Sequence, residues 1–170
     1  MRPSPPRCLV AIDPGVAQTG VVVFAFGRVV RSTTIRTRAD NPIPTLPRVL
    51  ERAKQTARAL AEILREYDPE VVVIETYRDI PGDLRRASNR WSTPAFIGAV
   101  WSLLPEWQDR MVWSDPETVG VRYGGLKAAW SARRFGAVPG DRLITNEHER
   151  SAAAHGLAYL DAAAHGRRAG

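Results

Sequence analysis

Residues Val71 to Ile74 form an unbroken apolar, β-branched run. A strand with no polar residue on either face suits a position covered on both sides, as in the parallel part of an α/β sheet. A long stretch of helical periodicity leads into it. Leu46, Val49, Leu50, Ala53, Ala57, Leu60, Ala61 and Leu64 recur at the spacing of one helix face. Pro47 falls in the first turn, where its missing N–H is harmless, and Asp68-Pro69 ends the helix. A helix that delivers the chain into a buried strand is a crossover, and crossovers return parallel to an earlier strand. Residues Cys8 to Ile12 are the natural partner, an apolar run stopped by Asp13-Pro14-Gly15. Gly20 to Phe26 reads as a second strand, and Gly27-Arg28 as a tight turn into a third, Val29 to Ile35. These three form an antiparallel meander, and Asn41 to Pro47 is a Pro-rich loop.

Downstream, Thr76 to Ser92 is polar and rich in Arg, and Thr93-Pro94 opens an apolar helix to Leu104. Met111 to Trp113 is a short strand. Asp115-Pro116-Glu117 starts a helical turn that Gly124-Gly125 breaks, Leu126 to Phe135 reads as helical, and Ala137 to Thr145 as a loop. Asn146 can cap a final helix reaching Ala164. The order β-β-β-α-β-α-β-α predicts an α/β fold. Its mixed five-stranded sheet joins the antiparallel meander to two parallel strands, with helices flanking it. No repeat or linker interrupts the chain, so residues 1–170 read as a single domain with flexible tails at 1–7 and 165–170.

This topology gives two acids a common address. Asp13 ends the first strand and Glu75 the strand after the crossover. Adjacent parallel strands deliver their carboxyl ends to one sheet edge, where ligand sites of open α/β sheets lie. Either acid alone could simply cap a turn. Two neighbouring carboxylates repel one another unless a cation sits between them, and an oxygen-rich site favours magnesium or manganese.

Four segments in order resemble the RuvC family of Holliday-junction resolvases. AIDPGVAQTG is similar to its opening strand and turn, and VVVIETY to its second acidic strand. WSDPETV, with Gly124-Gly125 and Lys127 after it, is similar to its fifth strand, helix start and glycine turn. HERSAAAHGLAYL resembles its C-terminal catalytic helix. The likeness covers most of the chain and is nearest to short phage-type members. It implies a ribonuclease-H-like fold, a homodimer, two divalent ions (magnesium or manganese) and hydrolysis of phosphodiesters in branched DNA, either a four-way junction or a flap. It also implies that Asp13 bridges both ions while Glu75 holds one.

The last helix departs from the family pattern, which sets two metal-binding side chains three residues apart. One register places His148 first and Ser151 second, and serine brings no charge. Another uses Ala152 and His155 and loses the first donor. His148, Ser151 and His155 fall on one helical stripe at i, i+3 and i+7. We therefore take His148 and Ser151 as catalytic candidates and His148 and His155 as metal candidates, beside Asp13 and Glu75. Glu149 lies off the stripe, within reach only if the helix begins late.

Composition matters for the partner. The net charge is +6, and Arg supplies every basic residue except Lys54 and Lys127. Guanidinium forks grip phosphate in two-pronged geometry, although a GC-rich coding bias also yields such a chain. Arg78, Arg85, Arg86 and Arg90 lie between Tyr77 and Trp91, beside Glu75. These arginines suit phosphates. Tyr77 is the nearest counterpart of an aromatic that the family wedges into the junction, whereas Trp91 suits packing on the next helix. Lys127, Arg133 and Arg134 form a second basic group. Cys8 is the only cysteine, which rules out an internal disulfide and fits a reducing cytoplasm. No segment reads as a signal peptide or a membrane span. An actin-like phosphotransferase also opens with a strand and an Asp-x-Gly turn, but needs a second lobe and a second phosphate loop, for which this chain has no room.

Overall fold

The computed structural model describes residues 5–37, 45–77, 89–116, 119 and 141–164, with the side chains of 89, 90 and 141 excepted. Its strands are β1 (Cys8–Asp13), β2 (Gln18–Ala25), β3 (Arg28–Arg36), β4 (Val71–Glu75) and β5 (Met111–Ser114). Its helices are α1 (Leu46–Tyr67), α2 (Asn89–Ser102) and α3 (Glu147–Ala164). The sheet order is β3-β2-β1-β4-β5. β1, β2 and β3 pair antiparallel, while β4 runs parallel to β1 and β5 parallel to β4. This is the mixed sheet that the crossover pattern requires.

Strand side chains alternate between faces, and here each face has its own core. Val10, Ile12, Val21, Val23, Val72 and Ile74 point into a cluster with α1 and α2. Leu9, Ala11, Val22, Phe24 and Val73 point into a second cluster with Ala152 and Ala153 of α3. Leu9 through Ile12 and Val72 through Ile74 have no exposed surface, which explains why both strands lack polar residues. α1 lays Val49, Ala53, Ala57, Leu60 and Leu64 on the sheet and ends at Asp68 in the left-handed region (φ 42°). α3 lies close to the sheet because Gly156 has no side chain. A Cβ there would approach a Phe24 ring carbon to 2.6 Å and the Ala11 methyl to 3.0 Å.

Two differences from the sequence reading concern α2 and its exit. α2 begins at Asn89, ahead of the Thr93-Pro94 start expected, and carries Pro94 inside. Proline so near the helix start removes only one backbone bond, so the helix can extend upstream of it. A 3₁₀ helix, Pro105–Arg110, then buries Trp107, whose ring lies 5.0 Å beneath the Arg110 guanidinium.

The β2–β3 ladder contains one bulge. Phe24 pairs with Val29 and Val23 with Arg31, leaving Val30 as an extra residue. Beyond the bulge the ladder is regular and sets Thr34 opposite Gly20.

Candidate active site

Strand register assembles a single polar row across the sheet. Asp13 pairs with Gly20, and Gly20 with Thr34. Ile12 pairs with Ile74, which brings the next residues, Asp13 and Glu75, side by side. Glu75 pairs with Ser114. The row therefore runs Thr34, Gly20, Asp13, Glu75, Ser114, one residue from each strand. Strand alternation turns this row toward α3, because Ile12 and Ile74 face the opposite core.

α3 crosses the row and meets it residue by residue. His148 Nδ1 lies 2.9 Å from Asp13 Oδ2. The Ser151 hydroxyl donates to Glu75 Oε2 at 2.6 Å. His155 Nδ1 lies 2.6 Å from the Ser114 hydroxyl. The i, i+3, i+7 stripe thus spans the ends of β1, β4 and β5. At the β3 end, Glu149 accepts from the Thr34 hydroxyl (2.9 Å), the Asn146 amide (2.8 Å) and the Thr145 backbone N–H (2.8 Å). Glu149 is therefore turned away from Asp13 and anchors the first turn of α3. Burial alone would raise its pKa. The N–H of Thr145 and the Thr34 hydroxyl outweigh that and hold it below the usual carboxylate range.

The electrostatics of the two acids are unequal. Burial, and then the charge of Asp13, push Glu75 up to about 8. The side chains of Asp13 and Glu75 are each 17% exposed, so water does little to relieve the repulsion. The bond to Asp13 raises His148, against the lowering effect of burial. His155 has no exposed surface, and burial drives it down to about 4. Its Nε2 is buried without a hydrogen-bond partner, 3.4 Å from Glu75 Oε2.

Among the described residues, no three His, Cys, Asp or Glu side chains already converge as a closed metal cage. The donor set nevertheless fits a divalent cation. Two crowded carboxylates, one of them held protonated by burial and then by the charge of the other, are the arrangement that a cation relieves. A partnerless imidazole nitrogen beside them is a donor without a role in the metal-free state.

A stability consequence follows. A carboxyl whose folded pKa exceeds its unfolded value stabilises the fold below the unfolded pKa and loses that contribution as pH rises through the folded pKa. The metal-free protein should lose stability on this account between about pH 4.5 and pH 8. Glu75→Gln should flatten that loss in melting experiments across the range. An unchanged pH profile would mean that Glu75 is not held protonated.

Of the proposed DNA contacts, Arg78, Arg85, Arg86, Lys127, Arg133 and Arg134 lie outside the described residues, as does the Arg90 side chain. Tyr77 is described, and its ring packs against the α1–α2 core with its hydroxyl buried. Trp91, expected to be packed, is 44% exposed at the start of α2. The sequence reading also missed Ser114. Its signal was available in WSDP, where a polar residue ends a strand as Asp13 and Glu75 do. No described helix is long and apolar enough to cross a membrane.

No family model matches the chain, and no curated protein sequence matches it. Solved structures do. Thermus thermophilus RuvC in complex with a Holliday-junction substrate superposes with a TM-score of 0.70 at 19% identity, over 94% of this chain and 96% of that one. A second Thermus thermophilus RuvC structure gives 0.69 at 20% identity over the same shares. The yeast mitochondrial Holliday-junction resolvase Ydc2 gives 0.67 at 10% identity, over 98% of this chain and 82% of that one. The chain has the ribonuclease-H-like fold of the RuvC-type Holliday-junction resolvases.

Proposed function

We propose that this protein is a divalent-metal-dependent endonuclease that cleaves phosphodiester bonds in branched DNA, with the four-way junction as first substrate and flaps as a second. The observation that carries this reading is the Asp13–Glu75 pair. Two mostly buried carboxylates stand side by side on adjoining parallel strands, with His148 bonded to the first. A fold shared with resolvases that act on such DNA supports it.

Asp13 and Glu75 would hold the ions, magnesium or manganese, and two bound ions would activate the attacking water and stabilise the leaving oxygen. His148 fixes the orientation of Asp13 through Nδ1. Ser151 fixes Glu75 by donating to Oε2. The net charge of +6 supplies the phosphate attraction. A second copy of the chain is the expected protein partner, and Leu46 and Leu50, one turn apart on α1, offer it an exposed apolar patch. The lone, half-buried Cys8 suits work in a reducing cytoplasm.

The deciding experiment is nicking of a synthetic four-way junction with magnesium or manganese. Cleavage is expected with both and should be faster with manganese, which accepts nitrogen donors more readily. Serine at 151, where the resembled family has an acid, favours one alternative, a DNA-structure-binding protein with weak or no catalysis. Tight junction binding without nicking in either metal would establish that alternative.

The DNA surface has its own test. Replacing Arg85 and Arg86 by Ala should lower the slope of log affinity against log salt by about one to two. An unchanged slope would place the DNA elsewhere.

A further inference from the structure

The family's pattern on the last helix leaves this chain one acid short, at Ser151. The structure shows what stands next to that gap. One turn further along α3, His155 is fully buried and reaches the same row. Its Nδ1 is engaged by the Ser114 hydroxyl at 2.6 Å. Its Nε2 is left partnerless, 3.4 Å from the Glu75 oxygen that Ser151 holds. His148 is placed differently, since the partner of its Nδ1 is Asp13, itself one of the two carboxylates of the site.

A buried imidazole needs a reason for its polar edge, because a buried nitrogen left without a partner carries the full cost of its lost hydration. Ordinary packing would have placed an apolar residue here, among Ala152, Ala153, Ala154 and Ala158. The way the ring is held matters more. When Nδ1–H donates to Ser114 Oγ, the proton is fixed on that side and the Nε2 lone pair faces the carboxylates. That is how metal-ligating histidines are arranged, with one nitrogen on an outer partner and the other on the ion.

We propose that His155 is the third protein donor to the cation site of Asp13 and Glu75, and that Ser114 is the positioning residue that fixes its tautomer. The proposal rests on the metal-dependent reading above. The site then has an oxygen, oxygen, nitrogen donor set on the ends of β1 and β4 and one face of α3. The nitrogen takes over from the acid missing at 151. A donor set of this kind favours manganese over magnesium, because imidazole suits the later metals and magnesium takes oxygen.

The test reads the metal directly. Manganese is added to the full-length, metal-free protein without DNA. Binding is followed by the loss of the free-ion electron paramagnetic resonance signal, and nitrogen ligation by electron spin-echo modulation. The wild type should bind manganese and show nitrogen modulation. His155→Gln should lose the modulation, and His148→Gln should keep it. Ser114→Ala should weaken manganese binding by about tenfold, as removal of an outer partner of a ligand typically does. Ser114→Thr, which retains the hydroxyl, should restore it. Binding without nitrogen modulation, or modulation that survives in His155→Gln, overturns the assignment of His155 while the metal-dependent reading stands. Failure of the wild type to bind manganese, with nicking unaffected by chelator, overturns both. Circular dichroism of each variant confirms that a lost signal is not lost folding.

Discussion

Asp13→Asn should slow junction nicking by at least about a thousandfold, roughly 4 kcal/mol of barrier. Junction affinity should change by less than about threefold, under roughly 0.7 kcal/mol. The two effects separate because they come from different groups. Under the proposed function, cleavage would need the negative charge at the end of β1, whereas binding would draw on arginines and phosphates. The fold should survive, since an asparagine carbonyl oxygen can still accept from His148 Nδ1 in place of Asp13 Oδ2. The same substitution removes a charge that holds Glu75 up, so the metal-free variant should melt higher than wild type near pH 8. Parallel nicking, binding and melting measurements test all three. Nicking within tenfold of wild type would remove Asp13 from the site.

The second large effect is expected at Gly20. A Cβ there would overlap the backbone carbon and oxygen of His148 and come within 2.8 Å of the Glu149 nitrogen. Those are main-chain atoms of the first turn of α3, so no side chain can swing aside. Gly20→Ala must lift that turn off β2. Overpacking of this kind costs about 1–3 kcal/mol, and each kcal/mol lowers the melting midpoint of a domain this size by about 2–4 °C. The lifted turn also carries His148 and the Glu149 anchor, so nicking should fall with stability. Gly98 is the control. A Cβ there meets nothing within 4 Å, and alanine in a helix interior gains about 0.8–1.0 kcal/mol over glycine. Gly98→Ala should therefore be neutral or stabilising, with full nicking. If Gly20→Ala melts and nicks like wild type, α3 is not seated on β2 as described.

The parts of this molecule that could be read from sequence share a physical cause. β1 and β4 are buried on both faces, so their composition leaves almost no alternative to a central strand. Chain reversal through α1 then dictates that Asp13 and Glu75 emerge together. The stripe of His148, Ser151 and His155 followed from helix geometry once Asn146 marked the start, and the helix does begin at Glu147. What could not be read depends on contacts between distant segments. Tyr77 and Trp91 look alike in sequence, as aromatics flanking a polar stretch. Packing against the α1–α2 core decides which one is covered, and it covers Tyr77. WSDP marks Ser114 as a polar strand end, but its place beside Glu75 comes from the register of β5 on β4. Glu149 looked like a spare ligand until Thr34, from the far side of the sheet, claimed it.

The bulge at Val30 has a consequence for how the chain tolerates length changes. With an unbroken ladder after Phe24 and Val29, Thr33 and not Thr34 would face Gly20. Every later side chain of β3 would then exchange faces. Arg31 would leave Glu66 on α1, to which it is now bonded at 2.6 Å, and Ile35 would leave the core it packs against. Bulging Val30 out of the ladder thus acts as a frame correction. It lets one strand serve the α1 face at Arg31 and Ile35 and the α3 face at Val29 and Thr34. Deletion of Val30 would therefore be absorbed, because the ladder would close with Arg31 still opposite Val23 and Thr34 still opposite Gly20, and β3 would keep both helices. Substitution at Val30, which is 44% exposed, would leave the frame in place as well. The bulge is the point at which β3 can lose a residue without losing its register.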